Sequence, residues 1–495
     1  MSQETFVYDI PQPTLTDDLQ LHLTLRDPEV DESIDALMAH GQYAALRRVI
    51  DDLAPADVVE QMKQSGLRGR GGAGFSTGEK WEVCYNTNAD QKYIICNAGE
   101  GLHVAHAVLE GMLIAAYAVG ATRGIIFYRS ESAESVPRMR KAIEEARQHG
   151  FLGRDIMGRG IEFEVELRFG MGSFVCGEET ALIRFLQGDR CEPQIKQPFP
   201  AVRGLFSKPT LINNIETFAT VPLIFYYGVE WFQSIGTETS KGTKVLSLSG
   251  QVKKEGLIEV PFGTTLRHII FTIGKGMKNG KFKAAVIGGA TGGVLTEADL
   301  DKPLDYEMLD SIGAVLASGS LQVLNENSCI PTLVKNNILF AAEESCGKCT
   351  PCRIGTKRLS EVVTKITDGN GTLDDLQEMR NLAQVMQDTS LCALGRTAPN
   401  LLLTTIDTFW DEYVEHVNAK RCDAGQCKTM VTFAINRDTC IGCGLCARNC
   451  PAEAISRTDY IAPGHKLASM LIDTEKCVKC GTCKSNCKFG AIFVQ

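Results

Sequence analysis

Near its C-terminal end the chain reads "CIGCGLCARNCP", with Cys440, Cys443, Cys446 and Cys450, and then "CVKCGTCKSNCK", with Cys477, Cys480, Cys483 and Cys487. Each is a C-x2-C-x2-C-x3-C run. Two such runs are the ligand spacing of a pair of [4Fe–4S] clusters in which the fourth cysteine of each run ligates the other cluster. The spacing therefore groups Cys440, Cys443, Cys446 and Cys487 around one cluster, and Cys477, Cys480, Cys483 and Cys450 around the other. Separate zinc sites do not suit it, because C-x2-C-x2-C crowds three thiolates where a structural zinc is held by four ligands in a tetrahedron. The second run ends in Cys487-Lys488 rather than Cys-Pro, which alters a turn and no ligand.

Upstream, "ESCGKCTPCRIG" places Cys346, Cys349 and Cys352 at the same spacing, with no fourth cysteine close behind. Cys392 in "TSLCALG" can supply it. The intervening "KRLSEVVTKIT", a Gly-Asn-Gly turn and a second helical stretch would carry the chain out and back as antiparallel helices. A third [4Fe–4S] cluster follows. Three clusters conduct single electrons, and clusters do not handle hydride. A flavin does, because it takes electrons in pairs and releases them singly, so a flavin with a nicotinamide is the expected entrance.

The remainder of the composition sets the class. With 495 residues the chain exceeds a single core and divides into several domains. Its 44% hydrophobic and 22% charged residues are those of a soluble globular protein. The start, "MSQETFVYDIPQPTLTDD", shows no basic and then apolar leader, and the longest apolar run, Met112 to Ala121, is too short to span a membrane. A cytoplasmic location is expected, and there thiols stay reduced, so the 19 cysteines are not a disulfide framework, and those with the right spacing read as metal ligands. A net charge of −9 argues against nucleic acid as a partner.

"GLRGRGGAGF", Gly66 to Phe75, holds Gly69, Gly71 and Gly74 in a G-x-G-x-x-G frame. A dinucleotide fingerprint needs a strand before it and a helix after it. Here "DVVEQMKQSGL" has helical spacing in front, and "STGEKW" puts a Thr-Gly turn signal behind. An anion-binding loop of another design, or a plain surface loop, is left.

Six motifs taken together, "GLRGRGGAGFSTGEKW", "CNAGEG", "GSFVCGEETALI", "QPFPAVRGL", "KPTLINNIET" and "ESCGKCTPCRIGTKR", resemble the family of NADH-binding flavoprotein subunits of complex I. With its double-cluster tail the chain most resembles the flavin subunit of cytoplasmic multimeric iron hydrogenases that reduce NAD or NADP. The resemblance implies that the glycine loop wraps the phosphate of FMN. It implies that Gly69, Arg70, Gly71, Gly72, Lys80, Asn97, Glu100, Gly177, Glu178, Asn213 and Asn214 line the flavin, Glu100 and Glu178 being the carboxylates assigned to catalysis. It places Phe75, Phe199, Lys196 and Glu179 at the dinucleotide. Val83 stands where the family has a further aromatic ring. Gly99 replaces an aspartate, and the acidic Pro-Gly stretch that follows in relatives is missing after Gly101.

The implied fold is α/β and multidomain: an N-terminal leader and helices (1–65), a Rossmann-like flavin domain (66–240), a β-grasp domain (241–325), a helical bundle with one cluster (326–420), and a linker with a two-cluster ferredoxin domain (421–495). Implied partners are NAD(P)H, a hydrogenase catalytic subunit and a small [2Fe–2S] subunit, with the equivalent subunit of formate dehydrogenase or complex I as the alternative. A different class, a non-catalytic iron–sulfur conduit, is also open. In "RCDAGQCK", Cys422 and Cys427 read either as a structural zinc site completed by His416 or His465, or as two free thiols. Cys84, Cys96, Cys176, Cys191 and Cys329 read as small buried residues.

Overall fold

The computed structural model describes residues 5–6, 32–99, 104–130, 135–170 and 172–494. After a two-residue strand β1 (Thr5–Phe6), the chain enters α1 (Ile34–Ala39) and α2 (Ala44–Asp52). "DALMAHGQYAALRRVI" is thus two helices, broken where Gly41 and Tyr43 take positive φ. Buried Glu110 accepts from the backbone N–H groups of Tyr43 and Leu46 at 2.9 and 3.0 Å, so a carboxylate satisfies donors at the start of α2.

The next elements are α3 (Pro55–Gln64), α4 (Thr77–Asn86), β2 (Tyr93–Asn97), α5 (Ala105–Val119), β3 (Arg123–Arg129), α6 (Val136–Gln148), β4 (Gly153–Ile156) and β5 (Ile161–Gly170). They are followed by α7 (Glu179–Leu186), β6 (Thr210–Asn214), α8 (Ile215–Tyr227) and α9 (Val229–Gln233). The sheet order is β4-β5-β3-β2-β6, with β5, β3, β2 and β6 parallel and β4 antiparallel at the edge. Strands β2 and β3 are apolar throughout their centres because both faces are covered. Ile94, Cys96, Ile126 and Tyr128 pack with residues of α5 and α8, while Ile95, Ile125 and Phe127 pack with Leu182 and Ile183 of α7. Helices α5 and α8 meet through Gly111, where a Cβ would lie 2.0 Å from the Phe218 carbonyl. The Thr77-Gly78 pair expected as a turn opens α4 instead. A Cβ on Gly78 would meet the Lys63 backbone at 2.4 Å, so the glycine serves the close crossing of α3 and α4.

A second sheet has the order β1-β8-β7-β11-β9-β10, from β7 (Thr243–Gly250), β8 (Gly256–Pro261), β9 (Phe282–Ile287), β10 (Gly293–Leu295) and β11 (Ser320–Asn325), with α10 (Tyr306–Ser311) before β11. It is mixed, β7 and β11 being parallel and β7 and β8 antiparallel. The buried ion pair of Glu216 on α8 with Lys244 on β7 joins that helix to the second sheet.

Helices α11 (Ile330–Glu343), α12 (Thr350–Thr367) and α13 (Leu373–Thr389) share one core with α15 (Asn400–Ile406) and α16 (Trp410–Val414). The turn between α12 and α13 contains Gly369 at positive φ, and Cys392 caps α14 (Ala393–Thr397), which is the expected return. The C-terminal unit pairs β12 (Phe433–Ile435) with β15 (Ile492–Val494), and β13 (Ile455–Arg457) with β14 (Met470–Ile472). Its helices, α17 (Leu445–Arg448) and α18 (Thr482–Asn486), each follow the first two cysteines of a run.

Candidate active site

In an open parallel sheet a ligand sits beyond the carboxyl ends of the strands. Strands β2 and β6 are parallel neighbours, and they end in register at Asn97 and Asn214. The Asn97 amide donates to the Gly177 carbonyl at 3.0 Å, and the Asn214 side chain caps α8 by accepting from the Glu216 N–H at 2.8 Å. A Cβ on Gly71 would come within 3.0 Å of the Asn214 side chain, so the glycine loop lies against this pair. Beside it, the Oδ1 of Asn213 and the indole N–H of Trp81 are buried without a hydrogen-bond partner among the described residues. Buried polar atoms ordinarily find partners, so these suit a polar ligand. Glu100 and the shortened segment after Gly101 lie outside the described residues.

The glycine loop is closed by the Gly69 N–H donating to the Phe75 carbonyl at 2.8 Å and the Thr77 N–H to Leu67 at 2.9 Å. Gly72 and Gly74 have positive φ, and at Gly74 a Cβ would strike the Tyr306 ring. The Tyr306 hydroxyl donates to the Gly69 carbonyl, and the Arg68 guanidinium stacks on its ring at 4.3 Å. Arg70 departs from expectation. It is 1% exposed, donates to the Arg68 and Lys241 carbonyls, and lies over the Phe262 ring. Its planar fork spans two backbone carbonyls and fixes the loop from beneath.

Lys80 remains as the cation at the opening, 3.3 Å from the Ile212 carbonyl, 3.4 Å from Glu179 and above the Phe75 ring. Glu178 caps α7, accepting from the N–H groups of Thr180 and Ala181 at 3.0 Å. Lys196 reaches both acids, 3.4 Å from Glu178 and 3.0 Å from Glu179. Burial opposes ionisation of Glu179, but Lys80 and Lys196 outweigh it and hold the carboxyl below its ordinary range. Its charge therefore survives a fall in pH through that range and is lost only below it. Phe75 and Phe199 are 53% and 54% exposed, unusual for such rings and suited to stacking.

The segment after α7 rests on the loop of the first cysteine trio. Arg190 donates to the Cys346 carbonyl at 2.8 Å and Lys348 to the Pro193 carbonyl at 2.7 Å, while the Phe174 N–H donates to Glu344. Burial pushes the Cys352 thiol up to about 11, with Cys349, Cys392 and Cys346 close enough to add to it. The structure thus gathers those four. In the tail, one cavity is lined by Cys440, Cys443, Cys446 and Cys487, which is the crossed grouping. Cys450 and Cys477 pack on the same core as buried Cys483. Thiolate donors in fours are the chemistry of [4Fe–4S] ligation.

Three cysteines expected as buried filler have other surroundings. Cys329 joins His416, Cys422 and Cys427, all buried, with ligand atoms within 4.8 Å of one another. The His416 Nδ1–H donates to the Glu412 carbonyl at 2.7 Å, which turns Nε2 toward the thiols. His465 is elsewhere, donating to the Cys440 carbonyl. Cys176 and Cys191 are joined by a disulfide. Cys84 and Cys96 are buried as expected.

The sequence matches the Nuo51 FMN-binding domain over residues 62–223, the NADH-ubiquinone oxidoreductase-F iron–sulfur binding region over 332–416, and a 4Fe-4S dicluster domain over 439–491. It is 48% identical to the NADP-reducing hydrogenase subunit HndC of Solidesulfovibrio fructosivorans, covering 90% of this chain and 93% of that one. It is 39% identical to the NADH-quinone oxidoreductase F 2 subunit of Rhizobium meliloti (strain 1021), covering 80% of this chain and 98% of that one. The fold superposes with a TM-score of 0.70 on the H2-reduced NAD+-reducing [NiFe]-hydrogenase, at 29% identity over 80% of this chain and 68% of that chain. With its FMN-binding and iron–sulfur regions in the same order along the sequence, the chain belongs to the family of the F-type subunits of NADH-quinone oxidoreductase and the hydrogenase subunit HndC.

Proposed function

We propose that this chain is the NAD(P)H-oxidising or NAD(P)-reducing flavin subunit of a soluble, cytoplasmic, multimeric hydrogenase. One observation carries the reading: the segment that lines the pocket at Asn97 and Gly177 continues into the stretch bonded to the Cys346 loop. On this reading the nucleotide site and the first cluster would be neighbours. Bound FMN would supply the exchange between paired and single electrons. Backbone N–H groups of Gly69, Gly71 and Gly72 would hold its phosphate, with the amides of Asn97, Asn213 and Asn214 and the charge of Lys80 fixing its orientation. Gly177 leaves room for the ring system, since a Cβ there would meet only the Asn97 amide, at 4.0 Å. Glu100 and Glu178 are the carboxylates assigned to the reacting face. Phe75 and Phe199 would stack adenine, and Lys196 and Glu179 would bind ribose or amide groups of the dinucleotide.

The proposed division is an N-terminal leader and helices over 1–65, a Rossmann-like flavin domain over 66–240, a β-grasp domain over 241–325, a helical cluster domain over 326–420, and a linker with the two-cluster domain over 421–495. Three [4Fe–4S] clusters would be held by the three groups of cysteines. Partners would be a hydrogenase catalytic subunit and a small [2Fe–2S] subunit. Among the described residues no helix is long and apolar enough to cross a membrane. Anaerobically purified protein should contain FMN and reduce an artificial dye from NADH or NADPH. Clusters without flavin or dye reduction would support the conduit instead.

Lys196→Ala and Glu179→Gln should each cost about 1–3 kcal/mol of nucleotide binding, a charge-assisted hydrogen bond's worth, so KM should rise roughly five- to a hundredfold. Flavin content should match the parent. An unchanged KM in both variants would remove the dinucleotide from this place.

Cys329, His416, Cys422 and Cys427 fit a closed Cys3His zinc site that ties the start of α11, the end of the bundle and the linker together. Metal analysis should find about one zinc per chain, lost in Cys422→Ser with a lower melting temperature and unchanged iron. Parent protein free of zinc would contradict the assignment.

A further inference from the structure

Cys176 and Cys191 lie 15 residues apart, and their disulfide closes the segment that carries α7. Cys176 stands next to Gly177, whose carbonyl holds Asn97 and which is followed by Glu178 and Glu179. Cys191 stands between Arg190, bonded to the Cys346 carbonyl, and Glu192, paired with Arg184 at 2.7 Å and Lys348 at 3.3 Å. The strand of chain then runs on to Lys196. A single bond thus connects the loop facing the flavin pocket with the stretch seated on the first cluster's ligand loop. The two sulfurs also differ in access, Cys176 being 3% exposed and Cys191 partly buried.

A chain with twelve cysteines at cluster spacing requires thiols to stay reduced, and in such surroundings disulfides are transient or redox-sensing rather than structural. We propose that Cys176 and Cys191 form a reversible thiol–disulfide switch that sets the order of the nucleotide mouth, an inference that rests on the function proposed above. A thiolate of a dithiol reductant attacks the more accessible Cys191 sulfur, and Cys176 leaves as a thiolate and takes up a proton. The reductant's second thiol then attacks the mixed disulfide and releases Cys191. Two electrons and two protons pass to the pair, and the dithiol becomes a disulfide. With the bond open, the segment from Gln187 to Lys196 keeps its ion pairs, its hydrogen bonds and the burial of Pro193 but loses its covalent tie to Cys176, so Glu179 and Lys196 lose their fixed separation from the flavin loop.

The test equilibrates the holoprotein anaerobically with reduced or oxidised dithiothreitol, alkylates free thiols, maps them by mass spectrometry, and measures the NAD(P)H KM by dye reduction. Cys176 and Cys191 should label only in the reduced sample, and KM should be higher there by about threefold or more, reversibly. Cys191→Ser should sit at the raised KM and ignore dithiothreitol. Equal labelling in both samples would overturn the switch, as would a pair that opens and closes at one constant KM. Absence of dye reduction in both samples would contradict the proposed function and the switch together, and is distinguishable from failure of the switch alone.

Discussion

Cys349→Ala should retain its flavin and reduce an artificial dye from NAD(P)H at the parent's rate, yet deliver no electrons to the tail clusters on the catalytic timescale. Cys349 caps α12 and lies close to Cys346, Cys352 and Cys392, the proposed ligands of the first cluster beyond the flavin. Removing one thiolate opens that site, and iron should fall by about four atoms per chain. The flavin site proposed above draws on β2, β6, α7 and the glycine loop, none of which carries these four cysteines, so its occupancy should be unaffected. Rapid reduction of the tail clusters in this variant, followed by stopped-flow spectroscopy, would show that electrons leave the flavin by another route.

Lys244→Met should be the most destabilising single change among those the structure singles out. Lys244 and Glu216 are 3% and 7% exposed at their side chains, and Glu216 also accepts from the Val245 N–H at 2.9 Å. Breaking a buried pair from one side leaves a charge without its partner, which costs about 3–5 kcal/mol. The melting temperature of the flavin-containing unit should drop on the order of 10 °C. Because Asn214 caps the helix whose first turn carries Glu216, flavin retention should weaken as well. Replacing both residues, as Glu216→Leu with Lys244→Met, should recover most of the loss, since two apolar groups of similar size leave no bare charge. A shift of only a degree or two in Lys244→Met would mean that water reaches the pair.

The cluster groups were legible in the sequence because their ligand spacing is local, and the crossed fourth cysteine follows from cluster chemistry rather than from the fold. Cys392 was reachable because helical periodicity and a glycine turn imply a chain that returns. Cys329 was not, since it lies 87 residues from His416 and 98 from Cys427, and only the packing of α11 against the linker brings them together. The inward turn of Arg70 was hidden for a related reason. Its partners, the Lys241 carbonyl and the Phe262 ring, belong to a distant part of the chain. Gly78 shows a local signal overridden by tertiary contact: its Thr-Gly pair favours a turn, but the close crossing with α3 needs a residue without a Cβ inside a helix. Asn97 and Asn214 were named by the family resemblance alone, and only the register of β2 against β6 shows how two residues so far apart in the chain come to stand together.

Reducing equivalents should enter in pairs at the β2 and β6 strand ends and leave singly through the cysteine groups. Anaerobic mixing of the cluster-replete protein with a small excess of NADH or NADPH tests this most directly, with flavin absorbance and cluster electron paramagnetic resonance followed in the same time course. Flavin bleaching that precedes the cluster signals, with both lost when Lys80 and Asn97 are replaced together, is the predicted result. Clusters that are reduced without any flavin change, or a protein that neither nucleotide reduces while FMN and iron are both present, would contradict it.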